Sequence, residues 1–239
     1  MRIEDIEYTV AGSRMVGHLA IDDEKSGPRP GVLVCHEGPG LDEHAKDRAE
    51  RLAGLGYAAF ALDYHGEGKP LVRDEVMDRL GVLMGDPDKT RQLGSAGLEI
   101  LVAQAEVDPA RVAAIGYCFG GTMALELARG GADLAIVVGF HSGLGTQRPA
   151  RAGEVKAKIL VCIGADDPLV PAEQRAAFEE EMRAADVDWR MNIYGGAVHS
   201  FTNPSADLAG IPAVAYSPVT DERSWRAMID FFDERFGLG

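Results

Sequence analysis

The feature that most constrains this chain is a cysteine between two glycines, Gly116-x-Cys118-x-Gly120. Residues 111–115 before it are short and apolar, which is typical of a buried strand. Residues 121–129 after it are rich in helix formers and are followed by two glycines, a pattern that predicts a helix with a glycine stop. A side chain at either glycine would collide with neighbouring backbone in so tight a turn. The segment therefore predicts a nucleophile elbow, with sulfur in place of the usual serine oxygen.

Cys118 would have the surroundings of a nucleophile at this turn. The strained backbone would point its side chain out of the end of the sheet, and the following helix would aim N–H groups and its positive dipole there. A thiol so placed has reason to ionise below its free pKa of about 8.5. The alternative is a buried core cysteine beside incidental glycines, because the pentapeptide alone is a weak match. The strand and helix around it favour the nucleophile.

Length and composition fit one large α/β domain, residues 1–239. The formal net charge of −14 argues against a general affinity for nucleic acid or anionic membranes, so neither is an expected partner. The first residues do not form a signal peptide, and no apolar run is long enough to cross a bilayer. We therefore expect a cytoplasmic protein. Cys35 and Cys162 lie in apolar runs and are expected to fill the core.

Strand and helix patterns alternate along the chain, which predicts a mostly parallel, twisted sheet with helices on both faces. Residues 3–10 and 15–21 predict an N-terminal antiparallel hairpin at the edge of that sheet. Further strands are expected at 31–35, 57–62, 111–115, 134–140, 159–164 and 189–194, and helices at 42–55, 88–106, 121–129, 172–185 and 221–236. Residues 71–85 are helical or a mixed insertion, and 202–220 are expected to be a loop.

Three polar residues follow predicted strands in an informative order. A thiol nucleophile needs a base, and the base needs a carboxylate that holds its tautomer. Cys118, Asp167 and His199 supply these groups in the order nucleophile, acid, histidine, which is the order of the α/β-hydrolase fold. On spacing alone Asp166 is an open alternative for the acid. The arrangement predicts a Cys-His-Asp triad.

The other histidines receive simpler interpretations. His36, His65 and His141 also follow strands, and each taken singly is expected to be a hydrogen-bonded structural or surface histidine. His18 and His44 are expected to face solvent. No short-spaced cluster of His, Cys and carboxylates predicts a metal, and no Gly-x-Gly-x-x-Gly follows the first buried strand. We expect neither a metal nor another cofactor.

Four segments, in this order, resemble the dienelactone hydrolase family: 36–38 (HEG), 116–121 (GYCFGG), 164–171 (GADDPLVP) and 196–201 (GAVHSF). The resemblance covers nearly the whole chain and implies the α/β-hydrolase fold. It also implies a Cys-His-Asp triad that opens small carboxylic esters and lactones through an acyl-thioester intermediate. The family pattern places the acid at Asp167.

The resemblance implies roles for further residues. Glu37 would pair with the resting thiol and help to activate it, and the N–H groups of Gly38 and Phe119 would form the oxyanion hole. Arg91 corresponds, through a loose alignment, to a family arginine that holds the substrate. The expected substrate-binding residues are Arg91, Tyr64, His141 and Asn203.

Asn203 departs from the family pattern. Members that take dienelactone carry an arginine four residues after the histidine, and without it bidentate capture of a carboxylate is weakened. We therefore expect a neutral or differently anchored ester or lactone as the substrate, and not a preference for dienelactone. The protein is expected to be a monomer or homodimer. The alternative function is a non-hydrolytic binding or regulatory protein on the same scaffold, because fold does not settle function.

Overall fold

An eight-stranded sheet forms the centre of the molecule, in a computed structural model that describes residues 1–237. The strands are β1 (Arg2–Val10), β2 (Ser13–Ile21), β3 (Arg29–Cys35), β4 (Ala58–Leu62), β5 (Val107–Tyr117), β6 (Ile136–Phe140), β7 (Lys158–Gly164) and β8 (Trp189–Tyr194). The helices are α1 (Glu43–Gly54), α2 (Arg73–Gly85), α3 (Pro87–Val102), α4 (Phe119–Arg129), α5 (Ala172–Ala184) and α6 (Pro218–Phe236), with a 3₁₀ turn at Ala206–Ala209.

The order of the strands is β1-β2-β4-β3-β5-β6-β7-β8. β1 pairs with β2, and β2 with β4, in antiparallel fashion, whereas every pair from β4 to β8 is parallel. The predicted mostly parallel sheet with an N-terminal antiparallel pair is therefore confirmed. β5, which ends at the Cys118 turn, lies between β3 and β6, so the ends of neighbouring strands surround the sulfur.

Two apolar layers cover the sheet. Helices α2 to α5 pack on one face and α1 and α6 on the other. All seven residues of β3 are buried, and alternate ones enter opposite layers: Leu33 and Cys35 enter the first, Val32 and Val34 the second. This is why the strand appears in the sequence as a continuous apolar run. Within the described residues, no helix has the length and apolar character needed to cross a bilayer.

Capping residues explain where two helices begin. The Asp86 side chain accepts the Lys89 N–H and Pro87 occupies the first turn, so α3 begins one residue before the prediction. Ser217 caps α6 in the same way, and the helix begins three residues before the predicted start. Residues 71–85, which were predicted to be helical or a mixed insertion, contain α2.

The prediction that His18 and His44 face solvent is wrong. His18 is 6% exposed, and its ring nitrogens lie 3.2 Å from Asp5 Oδ1 and 3.0 Å from Glu50 Oε1. His44 is 7% exposed and accepts a hydrogen bond from Arg48 Nε at 3.2 Å. Asp5 and Glu50, which lie on other elements, offset the cost of burying His18. For His44, Arg48 of the same helix and Thr202 Oγ1 at 3.4 Å do so.

Candidate active site

Cys118 forms the turn between β5 and α4. Its φ of 52° and ψ of −121° lie in a region that non-glycine residues adopt only under strain. A Cβ on Gly116 would lie 2.1 Å from the Gly120 carbonyl oxygen, and one on Gly120 would lie 2.2 Å from the Cys35 carbonyl oxygen. The Cys118 N–H is held by the Phe140 carbonyl at 3.0 Å. These contacts show why the turn requires both glycines.

The other cysteines differ from Cys118 in their surroundings. Cys118 is partly exposed, whereas Cys35 and Cys162 are completely buried. Burial raises the pKa of Cys35, and it raises the pKa of Cys162 to about 12. Both thiols therefore remain protonated and inert at neutral pH, as the sequence predicted for core cysteines.

His199 and Asp167 form a buried pair beside the elbow. His199 Nδ1 lies 2.8 Å from Asp167 Oδ2, and the second Asp167 oxygen accepts the Leu169 N–H at 2.9 Å. The neighbouring Asp166 is exposed. A carboxylate accepts only, so His199 Nδ1 carries a proton. The structure thus brings Asp167, and not Asp166, to the histidine.

The electrostatics of His199 connect it to the sulfur. Burial lowers the pKa of His199, but the nearby Cys118 sulfur and the Asp167 carboxylate outweigh burial, so the pKa is raised to about 10. The second ring nitrogen, Nε2, is buried and makes no hydrogen bond of standard geometry within the described residues. Within residues 1–237, Nε2 is therefore unoccupied by protein on the side of the ring opposite to Asp167.

Glu37 follows β3 and is buried near the same point. Its Oε2 accepts a hydrogen bond from Asn203 Nδ2, and its Oε1 lies 3.8 Å from His141 Nδ1 without a hydrogen-bond partner. Burial raises the pKa of Glu37, while hydrogen bonds from Asn203 and Ser200 lower it in part. In this structure the carboxylate is bound to Asn203, so its pairing with the thiol stays a prediction.

Two backbone N–H groups are free beside the elbow. The Phe119 N–H belongs to the first turn of α4, which has no intrahelical acceptor. The Gly38 N–H makes no hydrogen bond within residues 1–237. The family resemblance assigns these two donors to an oxyanion hole, and that role stays a prediction.

Tyr64 and His141 do not line an exposed wall, contrary to the expectation that they bind substrate. Both side chains are 0% exposed. Tyr64 Oη lies 2.9 Å from the Glu37 carbonyl, and His141 Nδ1 accepts the Cys118 N–H at 3.1 Å. Asn203 is 6% exposed and is engaged with Glu37. The polar atoms of these three side chains are hydrogen-bonded to other protein groups, so the residues support the site from the protein interior.

Arg91 lies apart from the other predicted site residues. Its Nε and Nη2 donate to Glu126 Oε2 at 3.0 and 2.8 Å, near the end of α4. Cys118 precedes the first residue of that helix, and an 11-residue helix is about 16 Å long. Arg91 lines a separate cleft of about 920 Å³ together with Arg129 and Arg148. The structure therefore does not bring Arg91 to the sulfur.

Sequence reasoning did not single out Arg79, and it did not predict that His36 and His65 hold the 36–38 loop through their ring nitrogens. Arg79 belongs to α2, in the segment predicted to be helical or a mixed insertion, and its Nε donates to His65 Nδ1 at 3.3 Å. His36 and His65 contact the 36–38 loop as the structural histidines that the sequence predicted. No three His, Cys, Asp or Glu side chains among the described residues converge on a point that would hold a metal ion.

A mostly parallel sheet with helices on both faces, and with a strained cysteine turn at the end of a central strand, defines the α/β-hydrolase fold. The model of the dienelactone hydrolase family matches residues 15–236 of this chain. The chain therefore belongs to the dienelactone hydrolase family, as its four motifs predicted.

Known proteins resemble the chain over nearly its full length. A dienelactone hydrolase-like promiscuous phosphotriesterase from metagenomic libraries is 45% identical, with a TM-score of 0.93 over 98% of both chains. The solved structure of m3DLH is 48% identical, with a TM-score of 0.94 over 98% of both chains. A Bradyrhizobium protein named "Probable 2-oxo-3-(5-oxofuran-2-ylidene)propanoate lactonase" is 29% identical over 84% of this chain and 82% of its own length.

Proposed function

We propose that the protein hydrolyses small carboxylic esters or lactones with Cys118 as the nucleophile. One observation carries the proposal: a histidine bound to a buried carboxylate at 2.8 Å has its pKa raised by a cysteine on a strained elbow. Nucleophile, base and orienting acid are the minimum set for acyl transfer through a covalent intermediate. A binding protein would have no need of a base beside its thiol.

The first half of the reaction forms an acyl enzyme. The Cys118 thiolate attacks the carbonyl carbon, and the carbonyl electrons move to oxygen, where the N–H groups of Phe119 and Gly38 stabilise the charge. As the C–O bond breaks, His199 Nε2 gives its proton to the leaving alkoxide. In known enzymes, removing one oxyanion donor lowers kcat by about 10²- to 10³-fold. The product of this half is an S-acyl thioester and an alcohol.

The second half releases the acid. Neutral His199 accepts a proton from water at Nε2, and the resulting hydroxide attacks the thioester carbonyl. The tetrahedral intermediate is held by the same two N–H groups and collapses with loss of the Cys118 thiolate. Asp167 holds the ring in one tautomer and stabilises the imidazolium throughout. For a lactone the two halves act on one molecule, which leaves as a hydroxy acid.

The surroundings favour a neutral substrate. Asn203, at the position where dienelactone-specific members carry arginine, donates to Glu37 and provides no cation. A comparison of turnover of dienelactone with that of p-nitrophenyl butyrate tests this point. A clear preference for dienelactone would contradict it.

Phosphotriester hydrolysis is a second candidate activity. The observation that favours it is the 45% identity, over 98% of both chains, to a protein described as a promiscuous phosphotriesterase. The same thiolate and oxyanion donors would serve attack on a neutral phosphorus centre. Paraoxon turnover by the purified protein tests this activity, and a rate equal to that of buffer would exclude it.

The decisive experiment replaces the nucleophile. Cys118→Ala is expected to lower kcat/KM for p-nitrophenyl butyrate by more than about 10³-fold, whereas the control Cys162→Ala retains activity. Mass spectrometry of the acid-quenched wild-type protein should show one acyl group on Cys118. Wild-type activity in Cys118→Ala would refute the mechanism. An inactive wild-type protein whose Cys118 resists iodoacetamide at neutral pH would favour the binding-protein alternative.

A further inference from the structure

Two buried side chains hold the peptide unit that carries the Gly38 N–H. Tyr64 Oη donates toward the Glu37 carbonyl at 2.9 Å and toward the His36 carbonyl at 3.0 Å. His36 Nδ1 lies 2.6 Å from the same Glu37 carbonyl. A carbonyl oxygen only accepts, so His36 Nδ1 carries the proton. The Glu37 carbonyl therefore accepts hydrogen bonds from two side chains, in addition to the Gly40 N–H at 3.2 Å.

These contacts determine the direction of the Gly38 N–H. A trans peptide unit is planar, and its C=O and N–H groups point in opposite directions. The Glu37 carbonyl and the Gly38 N–H belong to the same unit. Holding the carbonyl toward Tyr64 and His36 therefore aims the N–H away from them, as a free donor.

A third side chain holds the next peptide unit. His65 Nε2 donates to the Gly38 carbonyl at 2.8 Å. Arg79 Nε donates to His65 Nδ1 at 3.3 Å, so that nitrogen must be the acceptor and Nε2 the donor. Position 38 is also confined sterically, because a Cβ there would lie 2.8 Å from Leu80 Cδ1. Peptide units on both sides of the Gly38 Cα are thus restrained.

Substrate cannot contact the two central side chains. Tyr64 and His36 are 0% exposed, and their rings stack with centroids 3.7 Å apart at 15°. Burial lowers the pKa of His36 well below its ordinary value, so the ring stays neutral and keeps one donor and one acceptor nitrogen. Any effect of these residues on the reaction must pass through the backbone that they hold.

We propose that Tyr64, His36 and His65 are positioning residues that orient the Gly38 N–H toward the oxyanion. The inference rests on the proposed function, because the charge develops on the substrate oxygen only when the Cys118 thiolate attacks an ester. Glycine has more backbone freedom than any other residue, so the N–H of an unrestrained Gly38 would also point in other directions. A donor that is oriented before the reaction needs no reorganisation when the charge develops.

Tyr64→Phe tests the proposal because it removes one hydroxyl and little volume. The acylation rate constant for saturating p-nitrophenyl butyrate, measured in a pre-steady-state burst, should fall about tenfold, less than for loss of the whole donor. The ester concentration that gives half of the maximal acylation rate should not change. Alkylation of Cys118 by iodoacetamide should keep the wild-type rate, because displacement at carbon forms no oxyanion. A general disturbance of the site would slow both reactions.

Tyr117→Phe is the matched control. Its hydroxyl is also buried in the described structure but has no hydrogen-bond partner, so its loss should leave acylation at the wild-type rate. At position 65, glutamine retains an amide donor for the Gly38 carbonyl and leucine does not. His65→Gln should therefore acylate faster than His65→Leu, at equal alkylation rates.

Two results would overturn the inference. One is wild-type acylation by Tyr64→Phe, and the other is a parallel loss of acylation and alkylation. Failure of the proposed function is distinguishable from both, because then the wild-type protein itself would acylate no ester.

Discussion

Asp166 and Asp167 are adjacent carboxylates with different environments. Asp167 is 3% exposed and bound to His199, whereas Asp166 is exposed. Spacing in the sequence allowed either to be the acid. The pair therefore offers a substitution and its control one residue apart.

Asp167→Asn should lower kcat by about 10²- to 10⁴-fold. The asparagine amide would donate to His199 Nδ1, which moves the ring proton to Nε2 and leaves no base for Cys118. Asp166→Asn should keep wild-type kinetics in the same ester assay. Equal losses of kcat in the two variants would contradict the role of Asp167 as the acid that orients His199.

Glu37 makes folding depend on pH in a definite direction. Burial raises its pKa above the unfolded value of about 4.5, so the folded state keeps its proton to higher pH than the unfolded state does. The contribution of Glu37 to the free energy of unfolding is therefore fully present below about pH 4.5, and it is lost as pH rises through the pKa that Glu37 has in the folded state.

Glu37→Gln should consequently raise Tm at pH 8 and have little effect near pH 4.5. The glutamine oxygen can still accept from Asn203, and the buried charge is gone. Each 1 kcal/mol gained should raise Tm by about 2–4 °C in a chain of this size. Thermal unfolding of both proteins across this pH range measures the difference. A variant that is less stable than wild type at pH 8 would contradict the assignment.

At the scale of elements, α2 and α3 use glycine for opposite reasons. Gly97 of α3 lies against β4: a Cβ there would be 2.7 Å from Leu62 Cβ. Gly81 of α2 has nothing within 4 Å of the same atom. The first glycine allows a helix to approach the sheet closely, and the second only weakens its helix.

Gly81→Ala should stabilise the protein by about 0.5–1 kcal/mol, because alanine restricts the unfolded chain and favours the helix. Gly97→Ala should destabilise it by about 1–3 kcal/mol, because α3 must move away from β4. Urea unfolding of both variants measures these changes. A change of the same sign in the free energy of unfolding of both variants would show that local helix propensity, and not packing, decides the role of these glycines.

For the molecule as a whole, 38 acidic residues against 24 Lys and Arg produce a net charge of −14. This charge repels anionic substrates over distances that depend on salt. The Debye length shortens from about 30 Å at 0.01 M to about 8 Å at 0.15 M ionic strength. Screening should therefore help an anionic substrate and leave a neutral one unaffected.

Raising ionic strength over this range should increase kcat/KM severalfold for an anionic ester such as p-nitrophenyl hemisuccinate. The matched neutral ester, p-nitrophenyl butyrate, should change little. Steady-state assays at constant pH measure both. A decrease for the anionic ester would instead indicate that a local cation attracts it.

The sequence by itself determined the sheet, its hairpin, most helices and the elbow. Hydrophobic period and glycine spacing are local properties of the chain, so they can be recognised in one sequence without knowledge of tertiary contacts. The placement of Cys118, Asp167 and His199 after three predicted strands also follows from the sequence.

Only the tertiary structure decided which polar groups meet. Arg91 binds Glu126, 35 residues away, and lies at the far end of α4 from the sulfur. His18 is buried against Asp5 of β1 and Glu50 of α1. Tyr64 reaches the Glu37 carbonyl across 27 residues because β3 and β4 are neighbours. Which polar group satisfies which other group depends on strand order and burial, and no local pattern in the chain contains that information.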